Sequence, residues 1–233
     1  MSQSPVVLST HMMATYMVKP GCAEQARDII AKHWPTLKAH GLVTDEPATV
    51  YHSESEHGPV FFEIVTWVDE NAVSRAFNTP EVNAIWQEMA AITEAREGRP
   101  PVDYPIVHRM GYHQDEPDLP EEDAYTGLAH YLVRPDKVAE FHELMARDWP
   151  TLRDEKLTTG DRAIVYFGED ATGPFFLEIV RWYDQQGPSI AYRNDKVSAI
   201  WQDVFRYTEG RSGRPASEYL WAGELKFPYH DAS

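Results

Sequence analysis

The chain has 233 residues, and 37 Asp+Glu against 21 Lys+Arg give it a formal net charge of −16. That balance excludes a general nucleic-acid binder, which needs a basic footprint to displace counterions, and a protein held on anionic lipid by basic residues. With 42% hydrophobic and 12% aromatic residues the chain is too apolar to be disordered, and no run approaches the roughly 20 apolar residues of a membrane-spanning helix.

The opening MSQSPVVLST has no basic n-region and no long apolar run. No signal peptide is read there, and a cytoplasmic protein is expected. Tyr16–Lys19 reads as a short strand ended by Pro20-Gly21. Ala26, Ile29, Ile30, His33 and Leu37 then recur at helical spacing. Pro35 falls inside that pattern and is expected to kink the helix or split it. Two strands follow, 48–53 and 60–69, joined by SESEHGP as a hairpin. A second helix carries Val82, Ile85, Trp86 and Met89 on one face, and a last strand spans 104–110. The segment 111–125, GYHQDEPDLPEEDAY, holds six acids and two prolines and reads as a solvated linker.

After the linker the pattern begins again. HWPTL (33–37) returns as DWPTL (148–152), and FFEIVTWVD (61–69) returns as FLEIVRWYD (176–184). Aligning 16–104 with 131–219 needs no gap and gives 36 identities in 89 positions. Two units are therefore expected, 12–110 and 126–227. Each has the order βαββαβ, a ferredoxin-like unit with two helices on one face of an antiparallel sheet. The fold class is α+β. The uncovered faces of the two sheets are expected to cover each other. Cys22 excludes an intramolecular disulfide and is matched by Lys137, so it reads as incidental.

The stretch FFEIVTWVDENAVSRAFNTPEV resembles the antibiotic-biosynthesis-monooxygenase-like branch of the dimeric α+β barrel superfamily. Trp67, Asp69, Ala72 and Thr79-Pro80 carry the resemblance, with Trp182 and Asp184 in the second unit. It implies that the chain is a pseudo-dimeric α+β barrel, two family protomers fused head to tail. Such a chain can be a monomer. Where many relatives have a histidine seven residues after the Asp, this chain has Ala76 and Ala191. That departure speaks against haem, and no cofactor is expected.

Alternation along the third strand puts Phe61, Glu63, Val65 and Trp67 on one face, and Phe176, Glu178, Val180 and Trp182 form the identical second set. A carboxyl among large apolar groups suits general acid or base work. The plainer reading pairs each Glu with Arg96 or Arg211. His33 lies on the inward stripe of the first helix, within reach of Glu63, and its counterpart is Asp148. If one unit is active, it is the first. Trp67, Trp86, Trp182 and Trp201, with Tyr16, Tyr51, Tyr131 and Tyr166, either fill the core or line a cavity for a flat apolar ligand. Trp34 and Trp149 flank its mouth. The histidines cluster in the first unit (His33, His40, His52, His57, His108 and His113) without metal-ligand spacing, and no metal is expected. Arg99 and Arg214 sit in GRP loops and read as fixing loop geometry.

The resemblance implies a cofactor-independent monooxygenase-like enzyme acting on an aromatic substrate. Glu63 or Glu178 would abstract a proton to give a carbanion reactive toward dioxygen, with His33 assisting. The alternative is a non-catalytic ligand-binding barrel, or a scaffold whose cavity is filled by side chains. In each small-molecule reading the partner is a small apolar or aromatic ligand, with no nucleic acid and no membrane.

Overall fold

The computed structural model describes residues 6–112 and 124–230. Most of the expected linker, at 113–123, lies outside the described residues, as do His113, residues 1–5 and residues 231–233. The first repeat forms β1 (Val6–Met17), α1 (Ala23–Ala39), β2 (Thr49–Ser55), β3 (Gly58–Val65), α2 (Ala72–Phe77), α3 (Pro80–Ile92), β4 (Val102–Asp103) and β5 (Ile106–Gly111). The second forms β6 (Tyr125–Leu132), α4 (Val138–Asp154), β7 (Ile164–Asp170), β8 (Gly173–Trp182), α5 (Gly187–Tyr192), α6 (Asp195–Tyr207) and β9 (Ser217–Leu225).

Pro35 and Pro150 do not split their helices. α1 and α4 each run unbroken through the proline. The lost amide bond is outweighed locally by packing, because Trp34, Leu37, Trp149 and Leu152 are all buried on the same helices. β3 is shorter than expected and ends at Val65. Beyond it Trp67 forms a single bridge with Val43. The short helices α2 and α5 are additions to the expected order.

The hairpins explain an arginine in each repeat. At Gly58, φ is +123°, and a Cβ there would lie 2.7 Å from Arg96 Nη1. Glycine lets the guanidinium reach the backbone, where it donates to the carbonyls of Val18, His57, Gly58 and Pro59. Gly173 and Arg211 repeat the arrangement, with donation to Val133 and Pro174. Arg96 and Arg211 thus clamp turns and are not the partners of Glu63 and Glu178.

The chain divides into two compact units, one of His11–Ile106 with Gly223–Ser233, the other of Met1–Thr10 with Val107–Ala222. We call them the N-terminal and C-terminal units. In the N-terminal unit β1 pairs with β3 and β4, β3 with β2, and the end of β9 with β2. In the C-terminal unit β6 pairs with β8 and β9, β8 with β7, and β7 with β5. Each unit therefore contains one repeat's sheet and the tail of the other repeat's last strand. The full pairing order is β3-β2-β9-β6-β8-β7-β5-β1-β4, with β3 also paired to β1. It returns to its start, the connectivity of a closed antiparallel α+β barrel. Both faces of β3 are buried, Phe61 and Glu63 on one side and Phe62 and Ile64 on the other.

In the C-terminal unit Arg214 pairs with Asp170 at 2.7 Å, both side chains almost fully buried. Burial works against the Asp170 charge, but hydrogen bonds from Thr172 and Arg214 outweigh it and hold the carboxyl below its ordinary range. Arg214→Met strands that carboxylate. A loss of about 3 kcal/mol in unfolding free energy is expected from denaturant titration. An unchanged midpoint would show that the pair contributes nothing.

Candidate functional site

The N-terminal unit assembles four side chains in series. The β1–β3 register sets Ala14 opposite Glu63 and Tyr16 opposite Phe61, so Tyr16 and Glu63 share a face. α1 lays His33 on that face and α3 brings Trp86. The Tyr16 hydroxyl donates to Glu63 Oε2 at 2.7 Å, and His33 Nδ1 lies 2.8 Å from the same oxygen. Trp86 Nε1 donates to His33 Nε2 at 2.9 Å.

Donor inventory assigns the protons. An indole nitrogen only donates, so His33 Nε2 is the acceptor and its ring proton sits on Nδ1, bonded to Glu63. The ring is neutral and Glu63 accepts both bonds as a carboxylate. Burial, and then the Glu63 charge, hold the Tyr16 proton far more tightly than in a free phenol. Tyr16 is thus a donor and not a base. Glu63 is 1% exposed, and its Oε1 has no hydrogen-bond partner among the described residues.

A cavity of about 320 Å³ opens between the helices and this face. Tyr16, His33, Phe77, Trp86, Met89 and Tyr104 are among its walls. Glu63 is behind His33 and Tyr16 and does not line it. A bound molecule meets the imidazole and the phenol first.

The C-terminal unit keeps the scaffold and changes one member. Tyr131 donates to Glu178 Oε2 at 3.1 Å, and Trp201 Nε1 donates to Asp148 Oδ1 at 3.1 Å. Asp148 takes the place of His33 and is hydrogen-bonded to Glu178. Burial pushes Asp148 up to about 6. Burial, followed by the Asp148 charge, pushes Glu178 well above the carboxylate range. The two buried carboxyls therefore hold a proton between them more tightly than free carboxyls would. The adjoining cavity is about 510 Å³ and is lined by Tyr131 and Trp201, but by neither carboxyl.

Of the expected aromatic residues, Tyr16, Trp86, Tyr131 and Trp201 line these cavities. Tyr51 and Tyr166 line neither. Val50 pairs with Glu63, and Val165 with Glu178, so the next residue on β2 and on β7 points to the opposite face. Trp182 is buried with Leu152, Val180 and Ala191, and Trp67 packs at the edge of the N-terminal core. Trp34 packs at a tilt against Tyr229 and Trp149 is buried, so neither flanks a mouth. Sequence reasoning missed Phe77, Tyr104, Tyr192 and Tyr219. Tyr104 and Tyr219 had a signal: they are identical at the 115-residue offset and alternate onto the cavity face with Val102 and Ser217. Among the described residues no group of three or more His, Cys, Asp or Glu could hold a metal ion. No helix among them is long and apolar enough to cross a membrane.

No protein-family model and no curated protein matches the chain. Solved structures do. An anthrone oxidase-like protein superposes with a TM-score of 0.64 at 13% identity, covering 97% of this chain and 93% of its own. A candidate monooxygenase from Fusobacterium nucleatum gives 0.57 at 11% identity, covering 97% and 94%. Another from Lactobacillus acidophilus gives 0.53 at 9%, covering 95% and 94%. At such identities the likeness shows the fold alone. The chain shares its α+β barrel fold with these proteins.

Proposed function

We propose that the N-terminal unit is a cofactor-independent oxygenase of a polycyclic aromatic substrate with an acidic C–H bond. One observation carries the reading: a neutral imidazole, backed by a buried carboxylate, faces an aromatic-walled cavity of small-molecule size. His33 Nε2 takes the C–H proton. The imidazolium then pairs through Nδ1–H with Glu63, whose charge is already in place. Glu63 is thus a positioning residue acting through His33. The carbanion's electron pair passes to dioxygen, and protonation by His33 gives a hydroperoxide. Loss of water, with the remaining hydrogen of that carbon, leaves a carbonyl. A methylene and dioxygen become a ketone and water.

In the resting site the Trp86 N–H occupies the lone pair that this step needs. The indole must give way when substrate enters. Trp86 is half-buried and meets Phe77 edge-on, 4.8 Å between ring centroids, so it has a cavity to move into. Trp86→Phe is expected to speed diethyl pyrocarbonate modification of His33 by about tenfold, the equivalent of one lost hydrogen bond. Peptide mass spectrometry reads the rate, and an unchanged rate would mean the indole does not cover the base.

Anthrone is the test substrate, and an oxygen electrode follows its conversion to anthraquinone. Catalysed uptake that falls at least about a hundredfold in Glu63→Gln, with anthrone binding retained, is the expected result. Binding without uptake by the wild type would favour the non-catalytic ligand-binding reading, and neither would sink both.

A further inference from the structure

We propose that the cavity of the C-terminal unit is a second binding site, for a flat aromatic carboxylate, and that it does not turn its ligand over. The inference stands apart from the oxidation proposed for the N-terminal unit, since it uses none of the same side chains.

The site is built differently from its counterpart. Its volume is about 510 Å³ against about 320 Å³, and Tyr131, Tyr192, Trp201 and Phe205 give it aromatic walls. Gly127 leaves room for the Tyr219 side chain that lines it. A Cβ at that position would lie 1.9 Å from the Tyr219 hydroxyl, so any other residue would drive the phenol out. The matching residue in the first repeat is Met12, which packs on the core instead. The Tyr219 hydroxyl has no hydrogen-bond partner among the described residues. Burial keeps its proton on, which makes it a donor toward the cavity.

At the rim stands Arg193, whose matching residue Asn78 does not line the first cavity. Its guanidinium is exposed and has no acidic partner among the described residues. The lining carboxylate, Glu218, alternates to the other side of β9 from Tyr219, opposite His130, and is itself engaged. The cavity therefore offers a phenol donor inside, aromatic faces between, and a cationic fork at the edge. A flat ring carrying a carboxylate satisfies all three. No imidazole reaches the ligand, because Asp148 replaces His33 and is bonded to Trp201.

The test is calorimetric titration of the full chain with 2-naphthoate and with neutral 2-naphthamide. Naphthoate is expected to bind about tenfold more tightly than the amide. Arg193→Gln should abolish that difference by weakening naphthoate alone, with amide binding serving as the control for folding. Tyr219→Phe should weaken both ligands about threefold. Equal affinities in the wild type, unchanged naphthoate binding in Arg193→Gln, or no binding at all would overturn the proposal. So would loss of naphthoate binding in His33→Gln, which would put the probe in the other cavity.

Discussion

His33→Gln is expected to lower kcat for anthrone oxidation by about a thousandfold, the scale of a lost general base. Glutamine can still donate an amide hydrogen to Glu63 Oε2, so the buried carboxylate keeps a partner and the fold is retained. What it lacks is a basic nitrogen facing the cavity. The dissociation constant for anthrone should change by less than about threefold, since the aromatic walls supply most of the contact. Stopped-flow kinetics separate the two quantities. Equal losses in binding and turnover would mean that His33 shapes the cavity and does no proton transfer.

The second large effect is on stability, in the C-terminal unit. Asp148 is pushed up to about 6 and Glu178 well above the ordinary carboxylate range, so both exceed what they have in the unfolded chain. The folded state therefore binds more protons than the unfolded state from the ordinary carboxylate range upward. Stability from this pair is fully present below that range and is lost as pH rises through about 6. Each proton released contributes a slope of up to about 1.4 kcal/mol per pH unit. Asp148→Asn removes one charge while its amide oxygen can still accept from Trp201. Protection of α4 and β8 amides from hydrogen exchange should then stop falling between about pH 5 and pH 7. At neutral pH the variant should be more stable by about 1–3 kcal/mol. The same pH slope in variant and wild type would mean that the pair does not share a proton.

Much of this was legible in the sequence because it was written twice. The fixed 115-residue offset marked the repeated scaffold, and period-two alternation placed Glu63 and Glu178 on one face with their large neighbours. Helical spacing put His33 inward, toward Glu63. What alternation does not give is the phase of one strand against the next. Tyr51 and Tyr166 sit on strands as apolar as β3, and only the pairing of Val50 with Glu63 shows that they turn away. The role of Trp86 was hidden for a related reason. An indole at helical spacing reads as core, and its N–H contact with His33 depends on where α3 lies against α1. The last strands carried another surprise. Nothing in the residues of β9 announces that Ser217–Ala222 serves one unit and Gly223–Leu225 the other.

The proton on His33 is the point on which the functional account turns, and nitrogen-15 NMR of histidine-labelled protein reads it directly. A neutral ring protonated at Nδ1 is expected, with its Nε2 signal shifted when Trp86 is replaced by Phe. A ring protonated at Nε2 would leave no lone pair facing the cavity and would contradict it.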